Sequence, residues 1–245
     1  MRYFIRLMYD GTAYAGWQKQ PNALSVQEVI EDRMSNMLQS PIEIVGCGRT
    51  DAGVHALDYY AHTEVPEVMG ERFLFRLNNF LPADIAIKEI HRVHDDAHAR
   101  FDAIQRSYVY RIHTIKNPFL DGHSFYFQRA AQFTVGQLNE FSQRLIRLKE
   151  FSPFAKLHSD VKNHRCKLTQ CEWISTSDGF ELHISSDRFL RGMVRLITGA
   201  CLRYAEGKLT LEDLDEAVAA GEHIKGAWSV PAHGLYLAEI QYPYF

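Results

Sequence analysis

Apolar and polar positions along the first hundred residues change period several times. From Arg2 to Met8 they alternate, with Tyr3, Ile5 and Leu7 on one face and Phe4, Arg6 and Met8 on the other, which predicts a strand. At Ser25 the spacing becomes helical. Ser25-Val26-Gln27-Glu28 has the form of a capping box, and Val26, Val29, Ile30, Met34, Met37 and Leu38 continue it as an amphipathic helix. Ile42 to Val45 and Ala56 to Thr63 read as strands, Glu71 to Asn79 as a short helix, and Ile85 to Val93 as a strand. Strand, helix, strand, strand, helix, strand is the ferredoxin-like order.

Beyond Phe101 a second set follows. Ser107 to Thr114 predicts a strand, Val135 to Leu148 a helix capped by Thr134, and Leu168 to Ser175 and Phe180 to Ser186 a strand pair. A helix from Phe189 to Ala205 can end at Gly207; a short helix at Leu211 to Ala220 and a strand at Leu235 to Ile240 complete the pattern. The expectation is an α+β protein of two ferredoxin-like, RRM-like halves with largely antiparallel sheets. Residues 1–100 would form the first half and 101–245 the second.

A chain of 245 residues can bury a core of this size. No apolar run is long enough to span a bilayer, and Met1-Arg2-Tyr3-Phe4 leads straight into the strand pattern, so a cytoplasmic protein is expected. The four cysteines, Cys47, Cys166, Cys171 and Cys201, form no C-x-x-C pair and read as reduced thiols. Cys166 and Cys171 with His164 fit no zinc spacing. His91, His94 and His98 fall on a strand running into a loop, with no Glu after His94, so no metal is expected. The net charge of −3 weighs against an RNA partner, whose phosphates need Lys and Arg. Distribution tempers this objection. Arg100, Arg106 and Arg111 surround the first strand of the second half, Arg188, Arg191, Arg195 and Arg203 punctuate a later segment, and acids gather between Glu206 and Glu216.

The segment from Gly48 to Ala56 carries the candidate chemistry. Two glycines, Gly48 and Gly53, bracket a turn between predicted strands and would place Asp51 at a sheet rim, two residues from Arg49. Taken alone, the turn could equally be structural, with Asp51 as its cap. Tyr108 and Tyr110, two apart on a strand, share a face and could both be core aromatics; Arg191 and Arg195, four apart on a helix, would share a stripe.

Gly48-Arg49-Thr50-Asp51-Ala52-Gly53-Val54-His55 resembles the catalytic loop of the TruA-type tRNA pseudouridine synthases. The likeness extends in family order through Tyr9-Asp10-Gly11-Thr12-Ala13-Tyr14-Ala15-Gly16-Trp17-Gln18, Ser25-Val26-Gln27-Glu28, Leu81-Pro82-Ala83-Asp84-Ile85 and His98-Ala99-Arg100-Phe101. It continues through Tyr108-Val109-Tyr110, Met193-Val194-Arg195 and Gly234-Leu235-Tyr236-Leu237. The resemblance implies the pseudouridine synthase fold, a homodimer, tRNA as partner, and uridines 38 to 40 of the anticodon stem-loop as substrate. It also implies that Asp51 is essential, that Tyr108 stacks on the target base, that Arg195 pairs with the aspartate, and that Arg49 helps extrude the base.

The chemistry fits these residue types. The C1′–N1 bond breaks, the uracil turns, C5 bonds to C1′ and the C5 proton leaves. No redox step or group donor is involved, so no cofactor is expected. A carboxylate could attack C1′, add to C6, or take a proton from C2′, and the sequence does not choose among them. A tyrosine hydroxyl near C5 could receive its proton. Trp17 and His55 read as supports of the loop. Three departures from the family stand out: Ala97 where an aromatic is usual, Asn163-His164-Arg165-Cys166 within a divergent stretch from Lys156 to Cys171, and the low net charge. The rivals are a pseudouridine synthase for another RNA and a non-catalytic RNA-binding module. A third, an aspartyl-phosphate enzyme, would need Glu43 or Asp58 to hold Mg²⁺ beside Asp51.

Overall fold

Strands and helices alternate along the chain as β1 (Arg2–Tyr9), α1 (Val26–Leu38), β2 (Ile44–Gly46), β3 (His55–Glu64), α2 (Glu71–Phe80) and β4 (Ile85–Val93). They continue as β5 (Gln105–His113), β6 (Phe125–Tyr126), α3 (Val135–Ile146), β7 (Leu168–Ser175), β8 (Gly179–Ser186), α4 (Met193–Ala205), α5 (Leu211–Ala220) and β9 (Leu235–Gln241). These come from a computed structural model that describes residues 1–65, 69–155 and 163–244. The chain divides into two compact units, one of Met1–Ile104 with Tyr236–Phe245, the other of Gln105–Leu235. The expected division after residue 100 differs from this in two ways: the boundary falls later, and the last strand returns to the first unit.

In the first unit β1 lies between β3 and β4, antiparallel to both, and β2 pairs antiparallel with β3. This is the ferredoxin-like pairing. Beside it, β9 adds a parallel pair, with His55 opposite Tyr236 and Ala56 opposite Leu237. Ser25 caps α1 by accepting the Glu28 N–H at 3.2 Å, and the helix buries Val26, Ile30 and Met34. Burying each such side chain contributes roughly 1.5–3 kcal/mol. At α2 no side chain caps the helix, whose first residue follows Gly70.

In the second unit β8 pairs antiparallel with β5 and β7, and the two-residue β6 adds in parallel to β5. Thr134 and Gln137 close a capping box on α3, which buries Leu138, Phe141 and Leu145. Asn139 ties that helix to β7 through both amide atoms, at 2.9 Å to the Trp173 carbonyl and 2.8 Å from the Trp173 N–H. The helix α4 starts at Met193, four residues later than its apolar spacing suggests. Gly192 adopts φ 72°, a left-handed turn that a continuous helix cannot contain. Among the described residues no helix is long and apolar enough to cross a membrane.

Candidate active site

The segment from Cys47 to Val54 crosses between β2 and β3 over a floor of three aromatic rings. Trp17, 1% exposed, stacks on Tyr59 at 4.0 Å, and Tyr9 lies 5.7 Å from Tyr59 and 6.2 Å from Trp17. The rings do more than fill space. Tyr59 donates its hydroxyl to the Gly48 carbonyl, the Tyr9 and Thr50 hydroxyls share a bond of 2.8 Å, and the backbone N–H of Trp17 donates to the Thr50 carbonyl at 3.3 Å. Such close approach needs Gly16, whose φ is 94° and at which a Cβ would stand 2.3 Å from the Thr50 carbonyl oxygen. On the far side of the loop, Gly53 takes φ 76° and its N–H donates to Tyr14 O at 3.3 Å. Gly48, by contrast, has open space around it and no left-handed backbone, so only one of the two bracketing glycines is conformationally required.

Asp51 sits half-buried at the crest of this loop, its carbonyl accepting the Val54 N–H at 3.2 Å. Arg49 is exposed and donates from Nε to Gln18 Oε1 at 3.3 Å. His55 is 1% exposed and stacks on Tyr236 at 4.6 Å. Its Nδ1 accepts the Gly11 N–H at 3.1 Å, which requires an unprotonated nitrogen there. The same atom lies 3.1 Å from Asp10 Oδ1. His55 is thus a loop support. Behind it, the Tyr14 hydroxyl donates to Asp84 Oδ1 at 2.6 Å, so the Leu81-to-Ile85 motif braces the segment that carries the loop. Desolvation, followed by that bond, raises the Tyr14 phenol well above its usual range.

Asp58, the nearby acid a phosphate-transfer reading would need, is already committed. Arg6 grips it through two nitrogens, at 2.6 and 3.3 Å, and Lys88 lies 3.7 Å away. Bonding to Asp58 holds the Arg6 guanidinium above its ordinary range. His91 and His94 turn to neighbouring acids, Glu89 at 2.7 Å and Asp96 at 2.5 Å, rather than converging with His98. Among the described residues no three metal-binding side chains come together. All four cysteines are buried thiols outside any disulfide.

In the second unit, alternation puts Tyr108 and Tyr110 on one face of β5, yet their surroundings differ. Tyr110 is 0% exposed, donates to the Pro231 carbonyl at 2.8 Å and has its phenol pushed up by desolvation. Tyr108 is half-buried, with Phe189 set edge-on at 5.1 Å. Arg195 lies in the first turn of α4, half-buried, and donates from Nε to the Val230 carbonyl at 2.7 Å. Arg191 precedes Gly192 and lies outside the helix, so the expected Arg191–Arg195 stripe does not form. Sequence reasoning missed Phe189, which it assigned to the helix, and the Val230–Pro231 pair of carbonyls that fixes Arg195 and Tyr110. Gly192 was the available signal for the first. Thus Asp51 and Arg49 share one loop of the first unit, and Tyr108 and Arg195 belong to the second. The divergent stretch lies outside the described residues from 156 to 162.

A family model described as tRNA pseudouridine synthase matches residues 6–102 and 143–243. The chain belongs to the tRNA pseudouridine synthase family. It is 41% identical to tRNA pseudouridine synthase A of Porphyromonas gingivalis, over 99% of this chain and 97% of that protein. Identity is 40% to the Parabacteroides distasonis protein of the same name, over 99% and 96%, and 31% to that of Bacillus subtilis, over 99% of both. Like other members of the pseudouridine synthase family, the chain is an isomerase of the α+β class.

Proposed function

We propose that this protein isomerises uridine to pseudouridine in the anticodon stem-loop of tRNA, at positions 38 to 40, with Asp51 as the reacting carboxylate. The observation that carries the reading is the Asp51 loop itself. Its family signature is intact, and its backbone is fixed at Gly48, Thr50 and Gly53 before any RNA arrives. Pre-set direction is what a carboxylate needs to act at a defined carbon. Asp51 acts on C1′, C6 or the C2′ proton; each route needs one ionised oxygen held against a base turned out of its stack.

Tyr108 supplies the stacking face, worth about 1–3 kcal/mol per base, and its oxygen takes the C5 proton as its own hydroxyl proton passes to solvent. Phe189 at its edge supports this assignment by fixing the ring's plane. By the family's motif Arg195 corresponds to the arginine that pairs with the catalytic aspartate, and Arg49, exposed beside Asp51 in sequence, to the side chain that enters the stack. These three assignments rest on the family's motifs at those positions. By the same resemblance the protein works as a homodimer without a cofactor, since isomerisation calls for neither electrons nor a donor group.

Loss of the C5 proton gives a direct test. Purified protein is incubated with tRNA carrying tritium at C5 of its uridines, and the released label is counted while the product is mapped by position. Release confined to positions 38 to 40 is the expected result. Release from other positions would move the substrate to another RNA site, and binding without any release would leave a non-catalytic RNA-binding module.

A further inference from the structure

Thr50, immediately before Asp51, is held at two atoms: its carbonyl by the backbone N–H of Trp17 at 3.3 Å and its hydroxyl by Tyr9 at 2.8 Å. Tyr9 brings little freedom to that bond. It is 4% exposed, its ring lies against both Tyr59 and Trp17, and its backbone belongs to the end of β1. A buried tyrosine can satisfy its hydroxyl on any nearby carbonyl, as Tyr110 does on Pro231 and Tyr59 on Gly48. Tyr9 instead meets the side chain of the residue next to the reacting carboxylate. With the Thr50 carbonyl and its χ1 both fixed, the peptide plane leading into Asp51 is fixed as well. Only φ, χ1 and χ2 of Asp51 itself then remain between that plane and its carboxylate.

We propose that Tyr9 is a positioning residue: through Thr50 its hydroxyl sets the direction in which Asp51 presents its carboxylate. This rests on the reading that Asp51 performs the chemistry. Neither Tyr9 nor Thr50 touches RNA in this role. Removing the bond therefore lowers the rate of the chemical step and leaves substrate affinity alone.

The test measures kcat and KM for tRNA in Tyr9→Phe, Thr50→Val, their double variant and Thr50→Ser, with a thermal melt for each. Tyr9→Phe and Thr50→Val keep shape and lose one hydroxyl. Each is expected to lower kcat about tenfold, since small misplacements of a reacting group cost rates of this order and more. KM should stay within about twofold of wild type, because no RNA contact is lost. The double variant should be no slower than the slower single one, and Thr50→Ser should restore most of the rate because it keeps the hydroxyl. Losses that multiply in the double variant, wild-type kcat in both single variants, or rates that track melting temperature would overturn the proposal. An inactive Asp51→Ala alongside a normal Tyr9→Phe would sink this inference only. An active Asp51→Ala would sink the reading beneath it.

Discussion

Tyr108 and Tyr110 show how much a residue's environment adds to its place in a pattern. Their spacing makes them equivalent, and only the structure separates a half-buried ring beside Phe189 from a fully buried one bonded to Pro231. Substitution should separate them too. Tyr108→Phe keeps the stacking face, so tRNA affinity should hold while turnover falls at least tenfold if the hydroxyl takes the C5 proton. Tyr108→Leu should lose both. Tyr110→Phe should turn over nearly normally and cost about 1–3 kcal/mol of stability, because the Pro231 carbonyl loses a buried partner. Equal turnover for wild type and Tyr108→Phe would reduce Tyr108 to a platform. Asp51 and its loop were legible from residue order alone. The Tyr9–Thr50 bond was not, because no local pattern pairs two residues forty-one apart.

Elements with strong periodicity or good caps were readable to within a residue or two: β4, β7 and α5 coincide with their expected spans, and Thr134 caps α3 as its sequence suggests. The failures have local causes. Gly192 moves the start of α4, and β6 is too short to leave a period. The acids near Glu206 also mean something else. Glu206 holds Arg129, Arg203 and Lys208 at 3.0–3.3 Å, and Asp213 closes the capping box of Thr210 on α5, so this stretch is ion-paired structure as much as negative surface. At β3, the His62 Nδ1 accepts the Ala99 N–H at 3.1 Å, a bond only the unprotonated nitrogen can make. Burial, then His98 and Arg2, lower His62 to about 4, against weaker opposing pulls from Glu64 and Asp102. Burial lowers His98 as well. An unfolded histidine titrates near 6.5. As pH falls from about 6.5 to 4 the unfolded chain takes up protons that the folded chain refuses, so stability present above that window is lost within it. The melting temperature should fall across this range, and less steeply in His62→Asn. Parallel falls in both proteins would remove His62 from the account.

At the scale of the whole molecule, the return of β9 to the first unit could not be read from chain order, since its partner β3 lies far upstream. The negative formal charge is similarly uninformative about local potential. Arg111 and Arg203 are engaged by Glu181 and Glu206, leaving other arginines to meet phosphate. Exposed Arg191 is our candidate for that contact. tRNA affinity should fall steeply with salt despite the net charge of −3, and Arg191→Ala should make the log–log slope shallower by about one. Arg195→Ala should instead reduce turnover, and salt-insensitive binding would show the basic surface to be misassigned. The most direct test of the account is turnover by Asp51→Asn, which keeps the side chain's shape and removes its charge. With folded tRNA bound as tightly as by wild type, the variant is predicted to form no detectable pseudouridine. Product at a rate comparable to wild type would contradict the claim that this carboxylate carries the reaction.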